Sequence, residues 1–250
     1  MTDSHPKATR SSGMDDLAIA VVMFDGAEEQ DVVGPYEMFW WMSLFGELPP
    51  AQPISESDFL TTFTSREGSW PNLFTVAPTT DVYRMSSGMR FTPDFSYDDA
   101  PAANMIVAPG GHGSLNFSEL RRNGTIDYIN EVGSAPDCRY IMSVCSGAFL
   151  LGAADLLDGR YCTVNHTTYE RFEKQLPTAK LVKDASLSFV QEGNLFTSNG
   201  PCSGLATALR VVEVQCGTGY KDNLRSLLSY IAPPVKGALV ENGTITEITV

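Results

Sequence analysis

Short apolar runs alternate with segments of helical spacing along this chain. Three continuous apolar runs, Leu17 to Phe24, Met105 to Ala108 and Arg139 to Val144, are typical of parallel strands that are covered on both faces. Segments with helical spacing follow these runs or lie between them, at Tyr36–Phe45, Ile126–Val132, Ala148–Leu157 and Pro201–Val214. This alternation predicts an α/β fold built on a mainly parallel sheet.

Weaker patterns extend this prediction. Leu73–Ala77 and Met89–Thr92 are predicted strands on either side of a tight turn at Ser87-Gly88. Two further strands are predicted nearer the C-terminus, at Tyr161–Val164 and Leu195–Ser198.

The connection after the first strand contains a helix-start pattern. We expect a loop from Asp25 to Val33 and a helix that begins at Pro35, because proline is favoured at the first helical position. This connection would complete the first strand–helix unit of the fold.

Changes in composition divide the chain into a core and three peripheral segments. Residues 1–16 are polar and without period, which predicts a flexible N-terminal tail. Residues 17–234 form the predicted single domain, interrupted at 46–72 by a polar, proline-containing insertion. Residues 235–250 show no clear period and are expected to form an extended C-terminal arm.

Charge and cysteine usage narrow the function classes. The formal charge of −13, with 17 Lys and Arg, argues against a nucleic-acid or anionic-membrane partner, since phosphate binding needs a clustered basic face. No apolar run is long enough to span a bilayer. Five cysteines without a C-x-x-C pair, and no apolar leader, favour a reducing, cytoplasmic location over a disulfide framework or a thiolate-bound metal.

One cysteine lies where chemistry is expected. Cys145 follows the apolar strand that ends at Val144, and Ser146-Gly147 lead into the next helix, a pattern that resembles a nucleophile elbow. The first turn of that helix would supply N–H groups that lower the pKa of a thiol and bind developing negative charge. The alternative is a buried structural cysteine, since free cysteines are often buried.

Several ordered blocks together resemble the DJ-1/PfpI superfamily, most closely its isonitrile hydratase branch and the sensor domains of AraC-type regulators. These blocks are Gly26–Asp31 with Gly34–Glu37, Pro109–Gly111, Val144–Gly147 and Leu156–Arg160. The resemblance implies a single-domain, flavodoxin-like fold: a three-layer sandwich of the class I glutamine-amidotransferase type. It also implies a small-molecule substrate, a homodimer and no cofactor.

The resemblance assigns roles to particular residues. Cys145 matches the nucleophile, Asp31 the acidic residue beside it, and Gly111 and Ser146 the backbone donors that would stabilise negative charge on the substrate. Asn165 stands where many relatives carry a histidine, and asparagine orients polar groups but does not act as a base. Asp31 is also compatible with a turn-forming or helix-capping role before Gly34-Pro35.

Three further residues are weaker candidates. His112 follows two glycines after a strand and would contact the substrate or be solvated. Glu37 would support the site from a first helix turn, or be favoured there by the helix dipole alone. Cys202, in the turn before a predicted helix, would line the pocket or pack as a small buried thiol.

Three functions remain open at this point. The first is a cofactor-independent hydratase or lyase in which the Cys145 thiolate attacks an isonitrile and Asp31 moves the protons, giving an N-substituted formamide. The second is a DJ-1-like glyoxalase or redox-stress protein that uses the same cysteine. The third is a non-catalytic module that binds a small ligand.

Overall fold

The computed structural model describes residues 17–44, 72–230 and 235–249. The tail predicted at 1–16 and nearly all of the insertion predicted at 46–72 lie outside the described residues. The described strands are β1 Ile19–Val22, β2 Leu73–Ala77, β3 Tyr83–Arg84, β4 Arg90–Phe91, β5 Phe95–Ser96, β6 Met105–Ala108, β7 Tyr140–Ser143, β8 Tyr161–Cys162, β9 Lys180–Leu181, β10 Phe189–Glu192, β11 Leu195–Ser198, β12 Lys236–Glu241 and β13 Thr244–Thr249. The described helices are α1 Glu29–Leu44, α2 Phe117–Arg122, α3 Thr125–Ser134, α4 Ala148–Ala153, α5 Tyr169–Gln175, α6 Ser203–Cys216 and α7 Thr218–Leu227.

A nine-stranded sheet forms the centre of the molecule, in the order β13-β12-β10-β11-β7-β6-β1-β2-β5. All neighbouring strands are parallel except β10 with β11 and β12 with β13. The helices pack in two groups. In the first group α6 contacts both α1 and α7, and in the second α3 contacts α4. The sheet is therefore the middle of three layers. The predicted α/β, flavodoxin-like sandwich is therefore confirmed.

The central strands read as apolar runs because both of their faces are covered. Every residue of β1 and β6 is buried, and β6 has the bounds that the sequence predicts. Within the described residues, no helix combines the length and the apolar character needed to cross a membrane.

Helix α1 begins earlier than its proline indicates. It starts at Glu29, so Pro35 lies inside the helix and residues 29–33, predicted as loop, form its first turns. Proline removes the hydrogen bond that its N–H would make to the carbonyl of Asp31, four residues back. Helix α1 nevertheless continues through this position and packs closely against α6, where a Cβ on Gly34 would lie 3.2 Å from Leu205. Asp31 therefore belongs to the first turn of a helix.

Two predicted elements are shorter or lie elsewhere. The helix predicted at Ala148–Leu157 ends at Ala153, although Leu156 and Leu157 are buried in the turn that follows. The strand predicted at Tyr161–Val164 is β8, which pairs with β9 in a separate two-stranded sheet. The turn at Ser87-Gly88 is confirmed, and it joins β3 to β4.

The last residues join the sheet instead of extending from it. Strand β12 pairs in parallel with β10, and β13 folds back on β12 through Asn242 and Gly243, which have φ angles of 49° and 78°. An Asn-Gly pair is favoured in tight hairpin turns because both central residues need positive φ. Ala238 and Val240 pack with Leu187 and Val190 in a small second core, which explains why an arm expected at 235–250 becomes the sheet edge.

Candidate active site

The candidate site lies at the carboxyl edge of three neighbouring parallel strands. Asp31 follows β1, Gly110 and Gly111 follow β6, and Cys145 follows β7. Strand β1 has its sequence neighbour β2 on one side and β6 on the other, so the strand order reverses here. Open α/β sheets bind their ligands at such a reversal.

The bend after β7 has the geometry of a nucleophile elbow. Val144 is extended, with φ −119° and ψ 139°, whereas Cys145 has a positive φ of 54° and begins a short 3-10 turn. A non-glycine residue in this region stores strain and is characteristic of functional sites. Gly147 makes the bend possible, since a Cβ there would lie 2.0 Å from the carbonyl oxygen of Ala108.

Cys145 is partly exposed, and its sulfur faces a hydrogen-bond donor. The side-chain amide of Asn165 donates to it from 3.5 Å, and the backbone N–H of Ser146 lowers the pKa of the thiol. His166 turns away, with its backbone N–H and Nδ1 both close to Asn199 Oδ1, at 3.0 and 3.2 Å. The donors seen here stabilise a thiolate, and Asn165 offers no base.

Asp31 is fully buried beside the elbow. Its Oδ2 accepts a hydrogen bond of 2.8 Å from the N–H of Gly110, while its Oδ1 has no partner among the described residues. A Cβ on Gly110 would lie 3.0 Å from Asp31 Oδ2 and 2.6 Å from Ser146 N, which shows how tightly the carboxyl, this glycine and the elbow pack. Asp31 bonds to a different loop, so it does not cap its own helix.

Burial raises the pKa of the Asp31 carboxyl from 3.8 to about 7, although the Gly110 N–H opposes this shift. The nearby charges of Glu28 and Glu29 raise it further. Desolvation therefore outweighs the favourable field of the helix start. Near neutral pH this carboxyl can both accept and release a proton.

The pKa of the Cys145 thiol is raised to about 11, first by burial and then by the charge of Asp31, and the hydrogen bonds from Ser146 and Asn165 only partly offset these two effects. The prediction that the elbow lowers this pKa is therefore wrong, because desolvation exceeds the effect of the helix N–H groups. Burial also raises the pKa of Cys162 to about 12 and that of Cys216 to about 11. What distinguishes Cys145 is its coupling to Asp31.

Ser146 and Gly111 are hydrogen-bonded to each other. The N–H of Gly111 donates to Ser146 Oγ over 3.0 Å, and the buried Ser114 hydroxyl donates to the same oxygen over 2.9 Å. Gly111 was expected to present its N–H to the substrate, but in this structure that donor is already engaged. The hydroxyl of Ser146 thus connects the elbow to the loop after β6 through hydrogen bonds.

The three weaker candidates, His112, Glu37 and Cys202, are all exposed. His112 is exposed and lines an open cavity of about 680 Å³ together with Asp25, Arg84, Ser86 and Asn116, and neither Cys145 nor Asp31 belongs to its lining. Glu37 is exposed in the middle of α1, so its predicted place in a first helix turn is wrong. Cys202 is an exposed thiol just before α6. Among the described residues no three His, Cys, Asp or Glu side chains are grouped to hold a metal ion.

Sequence reasoning missed three residues that shape the site. Gly110 contacts Asp31, Ser114 contacts Ser146, and the backbone N–H and hydroxyl of Thr167 donate to Asn165 Oδ1 over 3.1 and 2.6 Å. The pattern Asn-x-Thr after a strand is a recognisable side-chain turn, whereas nothing in the sequence distinguishes Ser114 from a surface serine.

The sheet order and the cysteine elbow define a flavodoxin-like α/β protein with a thiol at its strand-order reversal. The sequence model of the DJ-1/PfpI family matches residues 18–214. The chain belongs to the DJ-1/PfpI family.

Individual relatives agree with this assignment. The chain is 30% identical over 221 residues to the isonitrile hydratase of Pseudomonas putida, and the alignment covers 87% of this chain and 81% of that one. It is 27% identical over 133 residues to the HTH-type transcriptional regulator GbdR of Pseudomonas aeruginosa, which covers 53% of this chain and 34% of the regulator. A ThiJ/PfpI family protein from Pseudomonas syringae matches with a TM-score of 0.64 at 24% identity, over 94% of this chain and 83% of that chain. The last likeness concerns the fold alone.

Proposed function

We propose that this protein is a cofactor-independent hydratase that converts small isonitriles into N-substituted formamides, with Cys145 as nucleophile and Asp31 as general acid and base. The observation that carries the proposal is the buried Asp31 carboxyl, whose Oδ1 has no partner in the described part of the chain and whose charge acts on the Cys145 thiol. The similarity to an isonitrile hydratase over most of both chains supports the choice of substrate.

The first half of the reaction forms a carbon–sulfur bond. Asp31, ionised above a pKa of about 7, accepts the proton of the Cys145 thiol, and the thiolate adds to the terminal carbon of R–N≡C. The electron pair left on that carbon takes the proton from Asp31. The product is a thioimidate, R–N=CH–S, bound to Cys145, and the carboxylate is free again.

The second half adds water and releases sulfur. Asp31 takes a proton from a water molecule as its oxygen attacks the thioimidate carbon, and that proton passes to the substrate nitrogen. The carbon–sulfur bond then breaks, the hydroxyl proton returns to sulfur, and R–NH–CHO leaves. Asn165 Nδ2, which is directed at the sulfur, stabilises it as it departs with a negative charge, and the Ser146 N–H adds to this effect.

The residue at position 165 favours addition over acyl transfer. Cleavage of an amide needs a group that protonates the leaving amine, and cysteine hydrolases use a histidine beside the sulfur for this step. Here Asn165 occupies that place and His166 bonds to Asn199. An isonitrile has no leaving group, so one carboxyl that moves protons is sufficient. A homodimer is part of this proposal through the family resemblance alone, and a cytoplasmic location through the cysteine usage of the sequence.

Product analysis tests the proposed activity. The purified protein is incubated at pH 8 with tert-butyl isonitrile, and formamide is quantified against a protein-free blank. We expect formamide from the wild type and from Cys216→Ser, a matched control that removes a partly buried thiol at the last residue of α6. Cys145→Ala is expected to lower the rate at least about 100-fold. Formamide formation that survives in Cys145→Ala would reject the covalent route.

Two other outcomes point to different functions. Turnover of methylglyoxal, dependent on Cys145 and without formamide formation, would identify a glyoxalase. The similarity to the regulator GbdR, which spans 53% of this chain, favours a ligand-binding module as the second candidate. That candidate gains if neither substrate is consumed while Cys145→Ala still binds an isonitrile in calorimetry.

A further inference from the structure

The side-chain amide of Asn165 has only one orientation that its neighbours allow. One end of the amide accepts a hydrogen bond of 3.1 Å from the backbone N–H of Thr167. A backbone N–H can only donate, so the atom that faces it must be the carbonyl oxygen. The hydroxyl of Thr167 donates to the same oxygen over 2.6 Å. The other end, 3.5 Å from Cys145 Sγ, must therefore be the NH2 group.

The backbone fixes Asn165 at the same place. Its own N–H donates to the carbonyl oxygen of Cys145 over 3.3 Å, so the residue is attached to the elbow. Its carbonyl oxygen accepts from the N–H of Thr168 at 2.8 Å and from the Thr168 hydroxyl at 2.7 Å. The main chain of Asn165 is thus attached to the elbow and to the turn that follows, whereas Thr167 holds its side-chain oxygen.

We propose that Thr167 is a positioning residue, which holds the amide of Asn165 so that its N–H group points permanently at the sulfur of Cys145. Asn165 then acts as a neutral donor that stabilises the thiolate both before it attacks and when it is expelled. The inference deepens the proposed function, because it rests on Cys145 as the nucleophile. It does not depend on which substrate the thiolate attacks.

A neutral donor suits this site because a negative carboxyl already lies beside the sulfur. A histidine at position 165 would add a second titrating group to the pair of Cys145 and Asp31, whereas an amide stabilises negative sulfur without exchanging protons. Proton transfer is then left to Asp31. An acid at position 165 would be the opposite case, since it would place an oxygen and a charge where the donor now lies.

Substitution of Asn165 by aspartate removes the donor and keeps the oxygen that Thr167 holds. In Asn165→Asp the side-chain oxygen can still accept from both groups of Thr167, so the local turn is kept, but the NH2 group becomes a carboxylate oxygen. We expect the thiol pKa to rise by at least about one unit, because a donor is lost and a like charge is gained. Alkylation of Cys145 by iodoacetamide at pH 9 should slow about three- to tenfold, since the smaller thiolate fraction is partly offset by higher nucleophilicity.

Substitution of Thr167 tests the positioning role. Thr167→Val removes the hydroxyl anchor and keeps the backbone N–H, so we expect alkylation at pH 9 to slow about twofold. Thr167→Ser keeps a hydroxyl and should restore the wild-type rate. The matched control is Thr168→Val, which breaks a hydrogen bond to the backbone of the same residue and should leave the rate unchanged.

The measurement is the rate of Cys145 alkylation from pH 8 to pH 10, followed by mass spectrometry of the peptide that contains it. The buried Cys162 should stay unmodified, which reports that each variant is folded. The proposal is overturned if Asn165→Asp alkylates as fast as the wild type, if Thr167→Val is unchanged, or if Thr168→Val slows as much as Thr167→Val. Absence of isonitrile turnover with the expected alkylation rates would reject the proposed substrate and leave this inference intact.

Discussion

At the scale of single residues, the chemistry of the site is decided by the burial of Asp31. The carboxyl belongs to the first turn of α1, where the helix dipole favours a negative charge by about 0.3 to 1 kcal/mol. Removal from water acts in the opposite direction and is larger, so the pKa rises from 3.8 to about 7. A carboxyl whose pKa is raised by burial in this way destabilises the fold when it is charged and is a candidate for proton transfer.

The raised pKa of Asp31 predicts how the free energy of unfolding depends on pH. Between pH 3.8 and about 7 the folded protein keeps the Asp31 proton that the unfolded chain releases, so the free energy of unfolding falls as the pH rises through this window. Above pH 7 the full loss, up to about 4 kcal/mol, is present. Asp31→Asn should therefore be more stable than the wild type at pH 8 and similar to it at pH 4 in urea denaturation. If Asp31→Asn were less stable than the wild type at pH 8, the ionised Asp31 carboxylate would not destabilise the folded protein.

Residue identity was easier to predict than side-chain direction. Cys145 follows an apolar strand, and strand ends are where parallel sheets collect functional groups, so the sequence pattern pointed to it. Asp31 was assigned through the family resemblance. The hydrogen bond from Gly111 to Ser146 and the part played by Ser114 could not be predicted, because they depend on which way a loop N–H turns. The sign of the Cys145 pKa shift was predicted wrongly, since the degree of burial is a tertiary property.

At the scale of secondary-structure elements, the elbow depends on the close approach of two neighbouring strand ends. Gly147 has ordinary helical angles, φ −60° and ψ −23°, so its backbone would accept any residue. The restriction is one of space, because an added methyl group would lie 2.0 Å from Ala108 O at the end of β6. Helix α1 shows the converse, since Pro35 stays inside it where packing against α6 outweighs a local preference.

Gly147→Ala should therefore disturb the elbow through steric overlap with backbone. We expect the free energy of unfolding to fall by about 3 kcal/mol, as for other overpacked core positions. Gly200→Ala is the matched control, because the nearest atom to its added methyl group would be Asn165 Nδ2, at an ordinary contact distance of 3.7 Å. This substitution should change the free energy of unfolding by less than about 1 kcal/mol. Urea denaturation of both variants makes the comparison, and equal stabilities would contradict the close approach.

At the scale of the whole molecule, the period of apolar residues predicted the architecture but not its edge. Strands β2, β6 and β11 have the bounds that the sequence indicates, because each is an apolar run between turn residues. The hairpin of β12 and β13 lies beyond residues 18–214, which match the family. Its pattern was missed although Asn242-Gly243 is a strong hairpin signal, since the prolines before it resemble a linker.

The proposed chemistry depends on coupled titration of Cys145 and Asp31. The most direct test is the rate of Cys145 alkylation from pH 7 to pH 10 in the wild type and in Asp31→Asn, measured on the isolated peptide because Cys202 is also exposed. Asp31 raises the pKa of the thiol, so we predict that Asp31→Asn alkylates several-fold faster at pH 8 and titrates at a lower pH. Superimposable profiles for the two proteins would contradict the coupling.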